Sequence, residues 1–200
     1  AGVSHDLRTP LTRMKLQISL MKDEKAKSEL EVDVNEMTSM LDSYVSFVKT
    51  ESPEPIETII INELIGDIVK TVEKNGVELT IKEKNTIQTS GRQIQLKRAF
   101  NNIIDNSQRY AKKIEIILYT NEKDCVIEFN DDGEGIPRDK YEDVFKPFFT
   151  LDPSRNKLKG ESGLGLTITR DIIRSHGGDV KLSDSNLGGL QLKVLLPLWF

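Results

Sequence analysis

Asp124-Cys-Val-Ile-Glu-Phe-Asn-Asp131-Asp-Gly-Glu-Gly-Ile136 opens as an alternation of apolar and polar residues and closes on a pair of glycines. Cys125, Ile127 and Phe129 share one face of a strand, and Asp131 continues that face, so its carboxylate is expected to point into the interior at the strand's end. A buried carboxylate needs donors, and the amino group of an adenine is one it would suit. Gly133 and Gly135 then permit a tight turn or the close approach of a ligand to the backbone. Taken alone, the same residues also read as a plain Asp-Gly turn.

Upstream, Ile114, Ile116 and Leu118 alternate as a second strand, separated from the first by the turn residues Asn121 to Asp124. Before it, Gln93 to Ala111 has the period of an amphipathic helix. On that helix Asn102 and Asn106 fall one turn apart, with Arg109 near the same face and Tyr110 beside it, whereas Leu96, Phe100, Ile103 and Ser107 face elsewhere. Asparagine oxygen is a hard ligand suited to Mg²⁺ bound together with phosphates, and a guanidinium pairs with phosphate oxygens. An asparagine pair taken singly is equally a solvated helix face.

Downstream, a polar loop from Thr150 to Ser162 leads into a helix from about Leu164 to Ser175, which Gly177-Gly178 stops before strands near Val180 and from Leu190 to Leu196. Gly163-Leu164-Gly165 sits where loop becomes helix, so free N–H groups and the positive end of the helix dipole favour a phosphate there. A dinucleotide fingerprint is excluded, because polar loop rather than strand precedes these residues and the third glycine is missing. Neither a Walker-type phosphate loop nor the catalytic loop of Ser/Thr/Tyr kinases is present. Adding a helix over Asn62 to Lys74 and a strand through Val77, Leu79 and Ile81 gives an α+β fold, a two-layer α/β sandwich over residues 61–200.

The N-terminal part has a different period. Leu7, Leu11, Met14, Ile18 and Met21 follow steps of four and three, and Leu30, Val34, Met37, Leu41, Tyr44 and Val48 repeat them after the short polar stretch Lys22 to Lys27. Residues 1–51 are therefore expected to form an antiparallel helical hairpin. A second stripe, Leu16, Leu20, Met40 and Val45, widens the apolar face beyond what one partner helix covers, so two copies are expected to pair as a homodimeric four-helix bundle. The alternative is the core of a monomeric helical domain. Pro53 and Pro55 end the helical pattern, and residues 52–60 are expected to be a linker.

With Leu7 and Leu11 on the seam, His5 points away from the bundle axis. Asp6 is placed to hydrogen-bond one ring nitrogen and leave the other as a nucleophile. Pro10 removes the bond to the Asp6 carbonyl and is expected to bend the helix just beyond His5. Thr9 lies one turn along from His5 on nearly the same face, where its hydroxyl can orient a water.

Composition narrows the classes further. A formal net charge of -4, with no basic stripe, argues against a nucleic-acid partner. The longest apolar runs are far short of the ~20 residues of a spanning helix, and no secretory signal pattern is seen, so no direct membrane contact is expected of this stretch. One cysteine and two distant histidines match no disulfide or zinc-site spacing.

Ser4-His5-Asp6-Leu7-Arg8-Thr9-Pro10-Leu11-Thr12 resembles the phosphoacceptor box of sensor histidine kinases nearly residue for residue, with Ala1 to Arg13 most like the osmosensing members. Asn102 to Tyr110 resembles the N box of the ATP-binding fold that histidine kinases share with heat-shock chaperone ATPases, type II topoisomerases and MutL. Asp131 to Ile136 resembles the first glycine box, Phe145 to Phe148 the F box, Gly163-Leu164-Gly165-Leu166 the second glycine box and Gly188-Gly189-Leu190 the last. Where the second glycine box often opens Gly-Thr-Gly, this chain has Glu161-Ser162-Gly163, beside Lys157, Lys159 and Gly160 that suit a cationic lid.

The resemblance implies ATP and Mg²⁺ as cofactors, with adenine on Asp131, Mg²⁺ on Asn106 and Tyr110 packed near the nucleotide. Asn102, Arg109, Gly133, Gly135, Ile136, Phe145, Gly163, Leu164, Gly165 and Leu166 line the rest of the site. It implies autophosphorylation of His5, transfer to an aspartate of a response-regulator receiver domain and, for many members, dephosphorylation of that regulator. It also implies a cytoplasmic portion of an inner-membrane sensor, whose sensing and membrane parts are expected to lie outside this stretch. Two other readings stay open: an ATPase of the same fold, and a non-catalytic module that docks a response regulator. His176 is read as a helix-end residue without a catalytic role.

Overall fold

The computed structural model describes residues 2–48, 54–71, 77–151 and 163–198, with the side chains of 2–8, 36, 39–40 and 42–48 left aside. Two compact units result, Ala1–Pro53 with Lys146–Leu164, and Glu54–Phe145 with Gly165–Phe200.

In the first unit, α1 (Gly2–Ser19) and α2 (Glu24–Val48) form the expected hairpin. Asp23 sets the start of α2, its Oδ1 accepting from the N–H groups of Lys25 at 3.0 Å and Ala26 at 3.1 Å, which satisfies donors that a helix start otherwise leaves open. Pro10 sits inside α1 without ending it. The hairpin core is small: Leu11, Ile18 and Val34 are buried, with Met21 and Leu41 packed against them. Met14, Leu30 and Met37, placed on the seam by their spacing, are exposed, as are Leu16 and Leu20. One hairpin covers only part of its apolar stripe.

The second unit is built on a five-stranded sheet of order β2-β4-β5-β7-β6. Its strands are β2 (Glu78–Glu83), β4 (Lys113–Thr120), β5 (Asp124–Asp131), β6 (Asp179–Asp184) and β7 (Leu190–Pro197). Only β2 and β4 pair in parallel; the other neighbours are antiparallel. The parallel pair follows from the chain between them, which carries β3 (Gln88–Gly91) and α4 (Gln93–Tyr110), long enough for a crossover. With α3 (Ile61–Thr71) and α5 (Gly165–Ser175), α4 makes the second layer. The core between the layers includes Ile65 and Ile68 of α3, Leu96, Phe100 and Ile103 of α4, Ile173 of α5, and Ile116, Ile127, Phe129 and Val194 of the sheet. The rings of Phe100 and Phe129 stand 6.1 Å apart, tilted at 35°. Cys125 is fully buried on the same sheet, where loss of water pushes its thiol up to about 11.

The expected linker 52–60 is corrected at its end. Glu57–Ile60 form β1, which pairs antiparallel with β3, Ile59 opposite Thr89. The β-branched run Thr58-Ile59-Ile60 carries that preference, and the prolines stop it from extending upstream. β3 itself, Gln88-Thr-Ser-Gly91, is missed by periodicity because its buried positions, Thr89 and Gly91, are not large and apolar. α3 starts one residue before the expected Asn62, and the stretch expected to continue it to Lys74 lies outside the described residues.

Candidate nucleotide site

Asp131 ends β5 with a side chain only 6% exposed, as the alternation requires. Its carboxylate is not alone. Oδ1 accepts from the N–H of Gly133 at 3.0 Å and the N–H of Leu190 at 2.9 Å, and Oδ2 accepts a long 3.4 Å bond from the Ser107 hydroxyl. Oδ1 is thereby committed to the backbone, while Oδ2 retains room for a further donor. Ser107 is expected from its helical position to face away from the site, and the structure corrects this. It ends the buried stripe Leu96, Phe100, Ile103, and a polar residue closing an apolar stripe is the signal that points to it.

Three segments meet around this carboxylate. A Cβ on Gly133 would lie 3.0 Å from the Tyr110 carbonyl, so the end of α4 rests on the glycine turn. Asp132 Oδ1 accepts from the N–H groups of Lys112 at 2.7 Å and Lys113 at 2.8 Å. The Lys113 bond is the main reason this exposed carboxyl lies below its ordinary pKa. From the other side the Gly189 N–H donates to the Asp131 carbonyl at 3.1 Å. Gly189, read from the sequence as part of the last glycine box but not among the residues expected to line the site, stands where a Cβ would overlap both Asp131 Oδ1 and the Gly133 nitrogen. Gly135, with φ 71°, adopts the left-handed conformation that glycine tolerates. Gly189→Ala is therefore expected to push Asp131 aside and weaken nucleotide binding at least tenfold, an overpacking cost of ~1–3 kcal/mol, with circular dichroism unchanged. Calorimetric titration with ADP checks it.

Asn102 and Asn106 lie on one face of α4, both half-buried. The Asn102 amide donates to the Gly165 carbonyl at 3.3 Å, which places the first residue of α5 beside the N-box face. Among the described residues none hydrogen-bonds the Asn106 carboxamide, which is how a ligand oxygen awaiting a hydrated cation would stand. Arg109 and Tyr110 are exposed at the end of α4. Burial raises the pKa of Asp105, and the nearby Arg109 opposes that rise. Ile136 is half-buried after the glycine turn, and Phe145 is buried in a short 3₁₀ turn over residues 143–145. Gly165 and Leu166 open α5; Gly163, in the other compact unit, has φ 62°, and Leu164 is buried. α5 thus begins one residue later than expected. Lys157, Lys159, Gly160 and Glu161 lie outside the described residues.

On α1 the backbone of His5 and Asp6 is helical, their side chains lying outside what is described, and Thr9 is exposed one turn further on. Among the described residues no cluster of His, Cys, Asp and Glu is placed to hold a metal by itself.

Residues 91–199 match the family model described as histidine kinase-, DNA gyrase B- and HSP90-like ATPase, and residues 1–52 match the His kinase A (phosphoacceptor) domain. This chain belongs to the sensor histidine kinases. It is 32% identical over 199 residues to the sensor histidine kinase GtrS of Pseudomonas aeruginosa, covering 98% of this chain and 41% of that protein. It is 32% identical over 211 residues to the sensor histidine kinase CpxA of Escherichia coli, covering 100% of this chain and 46% of that protein. The chain thus spans less than half the length of these curated relatives.

Solved histidine kinase structures share its fold. The mycobacterial sensor histidine kinase MprB superposes with a TM-score of 0.63 at 24% identity, over 72% of this chain and 97% of that one. Full-length ShkA in complex with AMPPNP superposes with a TM-score of 0.69 at 15% identity, over 99% of this chain and 46% of that one. The kinase's sheet-and-helix part is accordingly an ATP-binding domain of the histidine kinase type, and its N-terminal hairpin is the phosphoacceptor helical domain. Among the described residues no helix is long and apolar enough to cross a membrane.

Proposed function

We propose that this kinase transfers the γ-phosphoryl group of ATP to His5 and from there to an aspartate of a response-regulator receiver domain. The observation that carries the nucleotide half is Asp131: a buried carboxylate with one oxygen held by two backbone N–H groups and the other holding only the long Ser107 bond, so that it can accept a further donor such as the adenine amino group. Asn106 would present its carboxamide oxygen to Mg²⁺, with Asn102 on the same face, and Arg109 would pair with phosphate oxygens while Tyr110 packs beside them. When bound, Mg²⁺ neutralises phosphate charge; the fit rests on the unengaged Asn106 carboxamide. Gly133, Gly135 and Ile136 would flank the base, Phe145 would close the pocket, and Gly163, Leu164, Gly165 and Leu166 would meet the phosphates.

In the transfer, one imidazole nitrogen of His5 attacks the γ-phosphorus, the bond to the bridging oxygen breaks, and ADP leaves with the electron pair. Asp6 would hold the other ring nitrogen and stabilise the positive charge that develops there. The aspartate of the receiver domain then displaces the imidazole. Adding a purified receiver domain to labelled kinase tests this step: label is expected to move from kinase to receiver as acyl phosphate.

The proposed organisation is a phosphoacceptor hairpin over 1–51, a linker over 52–60 whose last residues join the catalytic unit as β1, and a catalytic domain over 61–200. The exposed Met14, Leu16, Leu20, Leu30 and Met37 support a homodimer, in which a second hairpin completes a four-helix bundle. Placement on the cytoplasmic side of an inner membrane belongs to the same proposal.

A phosphatase activity toward the regulator would use Thr9, exposed on α1 one turn past His5. A hydroxyl orients a water but lacks the basicity to replace Asp6 beside His5. Thr9→Ala is expected to keep His5 phosphorylation within a few-fold while slowing dephosphorylation of the regulator about tenfold or more, the lower range of what a positioned group contributes. A time course of ³²P loss from phosphorylated regulator with wild-type or mutant kinase decides it.

A further inference from the structure

Phe145 ends its 3₁₀ turn immediately before residues 146–164, and Gly165 begins α5 immediately after them. Within the catalytic unit these two points are fastened together. The Thr167 hydroxyl, in the first turn of α5, donates to the Phe145 carbonyl at 3.0 Å. One turn further, the Arg170 guanidinium lies over the Phe145 ring, 4.2 Å from its centroid, and its Nη1 donates to Glu142 Oε2 at 2.8 Å. The same first turn carries the Gly165 carbonyl that accepts from Asn102.

Magnitudes indicate which part of this arrangement matters. Glu142 is 85% exposed, so the ion pair is screened by water and contributes little by itself. Phe145 is 4% exposed and the Arg170 side chain 17%, so the cation–aromatic contact is largely dehydrated and is the stronger hold. Glu142 fixes where the guanidinium lies; the ring face is what it grips. A guanidinium used only for surface solubility would have no cause to be covered in this way.

We infer that Arg170 is a positioning residue for the kinase reaction: it locks Phe145 to the first turns of α5 and so keeps the phosphate-side end of that helix in register with the Asn102 and Asn106 face of α4. The inference rests on the placement of the nucleotide given under Proposed function. It predicts that Arg170 acts on ATP binding, in the ground state and transition state alike, and not on the chemical step.

The test uses the full chain with three substitutions. Arg170→Met keeps an apolar cover on Phe145 and removes the cation. Arg170→Lys keeps a cation able to sit over the ring and pair with Glu142, and Asp131→Asn serves as the reference for the site itself. Autophosphorylation kinetics give KM for ATP and kcat, and ADP titration gives the dissociation constant. Arg170→Met is expected to raise both KM and the ADP dissociation constant about fivefold with kcat within about twofold, and Arg170→Lys to restore both to within about twofold of wild type; fivefold is ~1 kcal/mol, part of what a largely dehydrated cation–π contact supplies, because the contact acts on the nucleotide only through the helix it holds. Wild-type KM and ADP affinity in Arg170→Met, while Asp131→Asn loses ADP binding, would overturn the role of Arg170 alone. ADP binding retained in Asp131→Asn would instead overturn the placement of the nucleotide. Reduced thermal stability of Arg170→Met with KM and kcat unchanged would mark Arg170 as structural only and also overturn the inference.

Discussion

Asp131→Asn is expected to abolish nucleotide binding and, with it, autophosphorylation. The substitution keeps size and shape, so the effect is chemical. In the wild type Oδ1 accepts from two backbone N–H groups, Gly133 and Leu190, and the introduced carboxamide must keep its carbonyl oxygen there because an amide nitrogen would face two donors. The NH₂ group is then forced into the position of Oδ2, where it faces the Ser107 hydroxyl and the site assigned to the adenine amino group. Ser107 can rotate its hydrogen away; an adenine amino group cannot. A donor set against a buried donor costs ~1–3 kcal/mol, added to the lost charge-assisted bond of ~1.5–3 kcal/mol, so affinity should fall about a hundredfold or more. ADP titration of the variant, with circular dichroism to confirm folding, measures this. Affinity within a few-fold of wild type would mean that Asp131 does not hold the base.

His5→Gln is expected to remove all phosphoryl label from the protein while leaving ADP affinity within about twofold, because its position on α1 and the residues around Asp131 belong to different compact units. The chain has two histidines, so the other must be excluded on its own evidence. His176 is committed at both nitrogens: Nε2 accepts from the Arg92 N–H at 3.0 Å, and Nδ1, which must then carry the hydrogen, donates to the Ile172 carbonyl at 2.7 Å. A Cβ on Gly91 would press on its ring, and burial lowers its pKa, so the ring is a neutral fastener between the end of α5 and the start of α4. Such a ring has no free lone pair for a phosphorus. Acid-labile label surviving in His5→Gln would show that another residue accepts the phosphoryl group.

The catalytic unit was legible where periodicity is strong. The buried stripe of α4 and the apolar residues of β4 and β5 are long patterns, and the structure has all three elements, although β5 is buried on both faces, Glu128 and Asn130 included. β3 was not legible, since Thr89 and Gly91 bury small side chains and leave no apolar signal. β1 was hidden by its prolines, which mark where a strand cannot begin but say nothing of the three β-branched residues just beyond them. At the site, the inward carboxylate of Asp131 followed from strand parity, whereas Ser107, Leu190 and Gly189 did not. Their meeting with Asp131 is a tertiary contact between segments far apart in sequence, and no local pattern encodes it. In the hairpin the heptad-like stripe named more core positions than one copy buries: Met14, Leu30 and Met37 carry the spacing of a core and the exposure of a surface. That mismatch is what a second copy would resolve.

Whether ATP phosphorylates His5 is decided by incubating the chain with Mg²⁺ and γ-³²P-labelled ATP, followed by acid and alkali treatment and mapping of the label. Label that survives alkali, is lost in acid and maps to the peptide containing His5 is the expected outcome; release of inorganic phosphate with no labelled protein, or neither label nor release, would refute it.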